Sequence, residues 1–153
     1  MAEVNQMLVL RLDTQRYAIG LQAVERVIRA SAITPLPGAP TGVMGALQAQ
    51  GRVIPVFDMR HRFGLPGRSL RLSDQIVLAN TSHRLVGICV DAADEVLSYP
   101  AELIVDAQQV LEETPYIKGV IKLPDGLLLI HDLDTFLSSD EAQQLDAALG
   151  QGS

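Results

Sequence analysis

The sequence predicts a mostly β protein that repeats itself internally. Short Val, Ile and Leu runs recur between Gly and Pro, as strands separated by turns do. Aromatics are scarce, with three Phe, three Tyr and no Trp, so aliphatic side chains must fill the core. Two pairs of segments also return in the same order. Tyr17–Ile28 aligns without gaps on Val86–Leu97 at an offset of 69, and the strand ending at Asp58 is echoed 74 residues later by the strand ending at Asp132. Two echoes in one order, at similar spacing, argue for duplication over the chance likeness of apolar strands.

Met7 to Leu12 is the first predicted strand, with Leu8, Leu10 and Leu12 alternating against Val9 and Arg11. Asp13-Thr14-Gln15-Arg16 supplies a hairpin turn, and Tyr17 to Gly20 pairs back. Leu21, Val24, Val27 and Ile28 then fall at helical spacing, which predicts a short helix with Glu25, Arg26 and Arg29 pointing elsewhere. Pro35, Pro37 and Pro40 hold the chain extended toward Gly42 and Gly45. Gly45 to Gln50 and Val53 to Phe57 are the next strands, turning at Gly51. Pro55 has no N–H to give a ladder, which points to an edge or a bulge. Met59 to Phe63 predicts a helical turn, and Gly64-Leu65-Pro66-Gly67 marks the boundary between halves.

The second half opens with a strand over Gln75–Ala79, a turn at Asn80-Thr81-Ser82-His83 and a return strand over Leu85–Val90. Ala92 to Leu97 repeats the helix-like stretch more weakly. Glu102 to Thr114 is polar and acidic, a long loop with one irregular strand. Ile117–Leu123 and Leu127–His131 form a hairpin around Pro124-Asp125-Gly126. Leu133 to Leu137 starts a short helix. Ser139-Asp140-Glu141 caps a last helix carrying Leu145 and Leu149. Residues 1–153 thus read as a single domain, with 7–66 mainly a first subdomain, 67–138 mainly a second, and 139–153 a C-terminal helix and tail.

Charge is divided unevenly. Residues 1–90 carry ten Arg against five acids, and residues 91–153 carry two Lys against thirteen acids, which makes the formal net charge −6. Oppositely charged lobes suit oriented contact with proteins. An acidic chain poor in aromatics lacks the basic surface and stacking platforms that nucleic acid requires. Cys89 is the single cysteine, inside an apolar strand, where it reads as a small buried hydrophobe. Met1–Gln6 lacks a signal-peptide pattern, and no apolar run approaches the ~18 residues of a membrane span, so the expected location is cytoplasmic.

Catalytic readings find little support. Asp58 and Asp132 are related by the repeat, and paired carboxylates can do acid–base work. Each is explained as well by capping the turn after a buried strand. His61, His83 and His131 are scattered, without metal-ligand spacing. No glycine cluster resembles a phosphate loop. Arg60, Arg62, Arg68 and Arg71 form a basic loop, read either as a solvated linker or as a docking patch to which Arg60 and Arg62 contribute. Val24 or Val27 is expected to stay partly exposed, ready to receive an amphipathic partner helix.

The stretch Gly45-x5-Gly51-x-Val53-Ile54-Pro55-Val56-x-Asp58-Met59-Arg60 resembles the signature of CheW-like proteins, couplers of bacterial chemosensory arrays. Supporting matches are Tyr17-Ala18-Ile19, Ile33-Thr34-Pro35-Leu36-Pro37, Gly87-Ile88-Cys89-Val90-Asp91, Glu95-Val96-Leu97 and Ile117-Lys118-Gly119-Val120, and together they cover about residues 7–145. The resemblance implies two pseudo-repeated five-stranded SH3/OB-like β-barrels that exchange elements. It implies a scaffold without cofactor, metal or catalytic residues. Its partners would be the regulatory domain of a CheA-type histidine kinase and the cytoplasmic tip of a methyl-accepting chemoreceptor, reached with no nucleic acid and no direct membrane insertion. A bacterial cytoplasmic protein is implied, recruited to receptor arrays through those partners.

The resemblance also implies protein-binding roles for Val24, Glu25, Arg26 and Val27, for Gly45, Gln50 and Gly51, for Asp58, and for Gly119. Two departures mark a divergent coupler. Arg26 stands where the family has an acid, and Gln48-Ala49-Gln50 stands where it has Asn-Leu-Arg. Two alternatives remain at this point: an OB-like module for single-stranded nucleic acid, and a small hydrolase using Asp58 and Asp132.

Overall fold

A computed structural model describes residues 4–29, 33–49, 51–67, 69–82, 84–106, 116–133 and 139–149. The strands are β1 (Val4–Leu12), β2 (Gln15–Gly20), β3 (Val24–Arg29), β4 (Val43–Ala49), β5 (Arg52–Asp58), β6 (Gln75–Asn80), β7 (Leu85–Val90), β8 (Ala92–Pro100), β9 (Val105–Asp106), β10 (Ile117–Leu123) and β11 (Gly126–His131). A short helix α1 (Met59–Arg62) follows β5, and α2 (Ser139–Ala148) follows β11. The fold is mostly β, in two sheets. One runs β8-β1-β2-β11-β10-β9 and the other β3-β6-β7-β5-β4.

The two orders are the same order once the repeat is applied. Moving β3, β6, β7, β5 and β4 to their counterparts in the other half gives β8, β1, β2, β11 and β10. Each half has therefore given its first hairpin to the other half's sheet. Three of the five strands in the second sheet come from before residue 66, and four of the six in the first come from after it. The parallel seams agree in register. Ala18 lies opposite Ile130 and Gly87 opposite Val56, which reproduces both sequence offsets.

The exchange decides what is buried. The exchanged hairpins β1–β2 and β6–β7 are covered on both faces. Met7, Val9 and Ala18 point into one sheet's own cluster with Ile121, Leu128 and Ile130. Ile76, Leu78 and Cys89 do the same in the other, with Leu47, Ile54 and Val56. The opposite faces, Leu8, Leu10, Leu12, Tyr17 and Ile19 against Val77, Ala79, Val86, Ile88 and Val90, meet in a shared core between the sheets. This is why Met7–Leu10 reads as a continuous apolar run, as strands buried on both faces do. Leu145 of α2 seals that core, with Gln144 Nε2 donating to the Gly38 carbonyl at 2.9 Å and an Arg84–Asp146 ion pair alongside.

Several expectations change here. The stretch Leu21–Ile28 is a 3₁₀ turn over Leu21–Ala23 followed by the strand β3, not a helix. Its register against β6 slips between Val24 and Arg26, a bulge that places an extra residue in the strand. That extra residue puts Val24 and Val27 three apart on one side, and so imitates helical spacing. Ala92–Leu97 is likewise strand, with its own slip where Val9 and Arg11 face Glu95 and Ala92. Pro55 lies in an interior strand, opposite Ala46, but the parallel ladder to β7 begins only at Val56. The irregular strand of the acidic loop is β9, and residues 107–115, like 134–138, fall outside the described residues.

Gly45 sits at the β4 slip with φ +150°, and a Cβ there would stand 2.2 Å from the Thr34 carbonyl oxygen. Only backbone movement relieves that contact. Gly51, at φ +75°, faces open space. Gly45→Ala should therefore lower unfolding stability by roughly 3 kcal/mol. Gly51→Ala should cost only about 1 kcal/mol, the ordinary penalty for a left-handed side-chain residue. Urea denaturation of both variants checks this, and equal losses would contradict the assigned packing.

Candidate protein-binding surface

β3 is an edge strand, hydrogen-bonded on one side only, to β6. Val24 and Val27 are half-buried and rest on the shared core, while Glu25 and Arg26 are exposed. The strand is steadied by an ion pair. Arg52 Nη2 lies 2.5 Å from Glu25 Oε1 and Arg52 Nη1 lies 3.5 Å from Oε2. Arg52 holds the Glu25 carboxyl below its ordinary range, and Glu25 in turn raises Arg52. Arg52 is delivered by the tight β4–β5 turn, where Ala49 and Arg52 face each other across two residues. Gly51 gives that turn its left-handed residue. Val24, Glu25, Arg26, Val27 and Gly51 are thus gathered at one corner, and Gln50 lies outside the described residues.

The other expected positions lie elsewhere. Gly119 is buried in the first sheet, where a Cβ would meet Ile104 Cγ2 at 2.8 Å. It is the repeat counterpart of Gly45, and both occupy register slips. Asp58 caps α1, accepting from the Arg60 N–H at 3.0 Å. Its backbone N–H reaches the Gly42 carbonyl at 2.8 Å, as that of Asp132 reaches Tyr116 at 2.6 Å.

Arg60 corrects an expectation. Its side chain is only 9% exposed, so it cannot serve as a docking cation. Its guanidinium grips both oxygens of Asp13, at 2.7 and 3.0 Å, and approaches Asp91 at 3.4 Å. Nε donates to the Pro66 carbonyl at 2.8 Å. Asp91 also accepts from the Asp13 N–H at 2.8 Å, and Asp13 has φ +53°. One cation so ties the β1–β2 turn, the β7–β8 corner and the end of β5 together. Neither Asp is marked in the sequence as a partner of Arg60, because a fork spanning 47 and 31 residues leaves no local pattern.

Arg62 is half-buried and also turned inward. Nη1 donates to the Tyr116 hydroxyl at 3.1 Å, and the guanidinium lies 4.9 Å from that ring's centre. Tyr116 belongs to an aromatic row that continues through His131 and Phe63 to Tyr17. Burial first, then the charges of Arg62 and Lys118, push the His131 imidazole down to about 3. No cluster of three or more His, Cys, Asp or Glu side chains that could hold a metal occurs among the described residues. No helix among them is long and apolar enough to cross a membrane.

Residues 6–141 match the family model described as CheW-like domain. The chemotaxis protein CheW of Klebsiella aerogenes is 29% identical over 144 residues, spanning 93% of this chain and 87% of the relative. That of Thermotoga maritima is 29% identical over 133 residues, spanning 86% and 87%. The crystal structure of scaffolding protein TtCheW from Thermoanaerobacter tengcongensis superposes with a TM-score of 0.82 at 25% identity, covering 92% of this chain and 96% of that one.

Two substitutions test the interior of this region. Arg60→Met should lower unfolding stability by about 2 kcal/mol, since it deletes several charge-assisted hydrogen bonds while Asp13 can still reach water. A loss below about 0.5 kcal/mol, the level of a surface pair, would show the grip to be idle. His131 gives a pH signature. The unfolded chain takes up a proton near pH 6.5 and the folded one only near pH 3. Stability should therefore fall between those values, by at most about 1.4 kcal/mol per pH unit, and be unaffected above them. His131→Phe, which copies the buried Phe57 of the other repeat, should flatten that slope in urea titrations. An unchanged slope would contradict the burial.

Proposed function

The chain belongs to the CheW-like domain family, and we propose from that premise that it couples methyl-accepting chemoreceptors to a CheA-type histidine kinase in bacterial chemosensory arrays. It is a non-catalytic scaffold of a chemotaxis system, as its relatives are. The finer claims concern partners and surfaces. The receptor's cytoplasmic helical tip and the kinase regulatory domain are the two expected ligands. The protein works in the cytoplasm and reaches membrane-bound arrays only through them.

One observation carries the surface assignment. Val24 and Val27 are half-buried on an edge strand that, among the described residues, pairs with β6 alone. An apolar pair in that position can accept the apolar face of a helix. Glu25 and Arg52 hold the strand's flank in place, and Arg26 offers an exposed cation to a partner carboxylate. Gly45 and Gly119 act indirectly, by allowing the close backbone approaches that fix both sheets. Asp58 acts in the same way, through α1. Arg60 belongs to the interior and docking is not assigned to it, while the half-buried Arg62 is engaged by Tyr116.

Val24→Lys should weaken binding to a cognate kinase regulatory domain or receptor tip roughly tenfold or more, with little change in melting temperature, because the Lys stem still covers the core. Co-sedimentation of purified components checks it. Unchanged affinity for both partners in a folded variant would move the interface off β3.

A further inference from the structure

The repeat makes the two sheets comparable position by position, and two differences meet at a hollow. In the second sheet Ile76 faces Cys89, and Met44 precedes the slip glycine Gly45. Ile33, Met44, Val56, Ile76 and Cys89 pack there in one apolar cluster. In the first sheet Met7 faces Gly20, and Lys118 precedes the slip glycine Gly119. A side chain is thus deleted at Gly20, and a thioether is replaced by an ammonium at Lys118. Beside them lies a hollow of about 250 Å³, lined by the apolar Met7, Ile104 and Ile130 and the polar Asn5, Gln6 and Gln22, with the Gln22 amide where a Cβ at Gly20 would stand and Lys118 at the side.

We propose that this hollow is a binding site for a small carboxylate with a short apolar body. The apolar lining selects the body. Lys118 is the one charged side chain that lines the hollow among the described residues. The volume is below the ~300–1,000 Å³ of drug-sized sites, so the ligand is fragment-sized. The site is independent of β3 and of the coupling role, and it sits in the other sheet.

Hexanoate and hexylamine are suitable probes, titrated into the ¹⁵N-labelled full chain while the amides of Gly20 and Gly119 are followed. Hexanoate should shift both saturably, and hexylamine should not. Lys118→Met should weaken hexanoate binding roughly tenfold or more, the worth of a charge-assisted hydrogen bond. Gly20→Cys, which restores the side chain found at position 89, should abolish it. A Cβ at Gly20 meets only the end of the Gln22 side chain, 2.8 Å away, which can swing aside. If Gly20→Cys does not fold, Lys118→Met decides alone, since Lys118 is exposed. No hexanoate shift at these amides, equal shifts with hexylamine, or unweakened binding to folded Lys118→Met would overturn the proposal.

Discussion

Each half of this chain begins with a hairpin that is apolar on both faces, and that constraint governs the architecture. Such a hairpin cannot lie at the surface of a small sheet, because one face would stay wet. The two halves solve the problem together. Each hairpin lies in the middle of the other half's sheet and turns its second face to the shared core. The two halves of the chain cannot separate without breaking both parallel seams, β2 with β11 in one sheet and β7 with β5 in the other. Arg60 reinforces the arrangement where the exchanged pieces cross, joining Asp13 of one turn to Asp91 of the corner leading back.

The surface follows from the exchange. Once β6 and β7 occupy the second sheet's middle, β3 must sit at its edge, paired with β6 alone. The bulge at Glu25 then sets Val24 and Val27 on one side, close enough to the core to be held and far enough out to be touched. Glu25 turns to Arg52 at the tip of the next hairpin. A coupling protein with no chemistry needs this kind of rigidity. Its task is to hold two partners in a fixed relation, and a face anchored in a cooperative core can do so.

Much of this was legible in the residues. The offsets of 69 and 74 in the sequence are the offsets of the two seams. The hairpin turns, the helical turn at Met59 and the close glycines at 45 and 119 all left local marks. The exchange did not, because an apolar strand carries no label saying which of two similar sheets it will join. Only the family resemblance implied it. The reading of Leu21–Ile28 as a helix failed because one bulged residue turns a two-residue period into a three-residue step. Arg60 looked like a surface cation because its partners lie far along the chain. Arg52 went unnoticed, since nothing at the β4–β5 turn announces a carboxylate on β3.

Native-state hydrogen exchange tests the central claim most directly, namely that the exchanged hairpins weld the two sheets into one cooperative unit. Amides in β2, such as Ala18 and Ile19, should exchange only through global opening, with the same free energy and denaturant dependence as Ile88 in β7. If either sheet opened on its own at a clearly lower free energy, the hairpins would not be binding the halves together, and the account would fail.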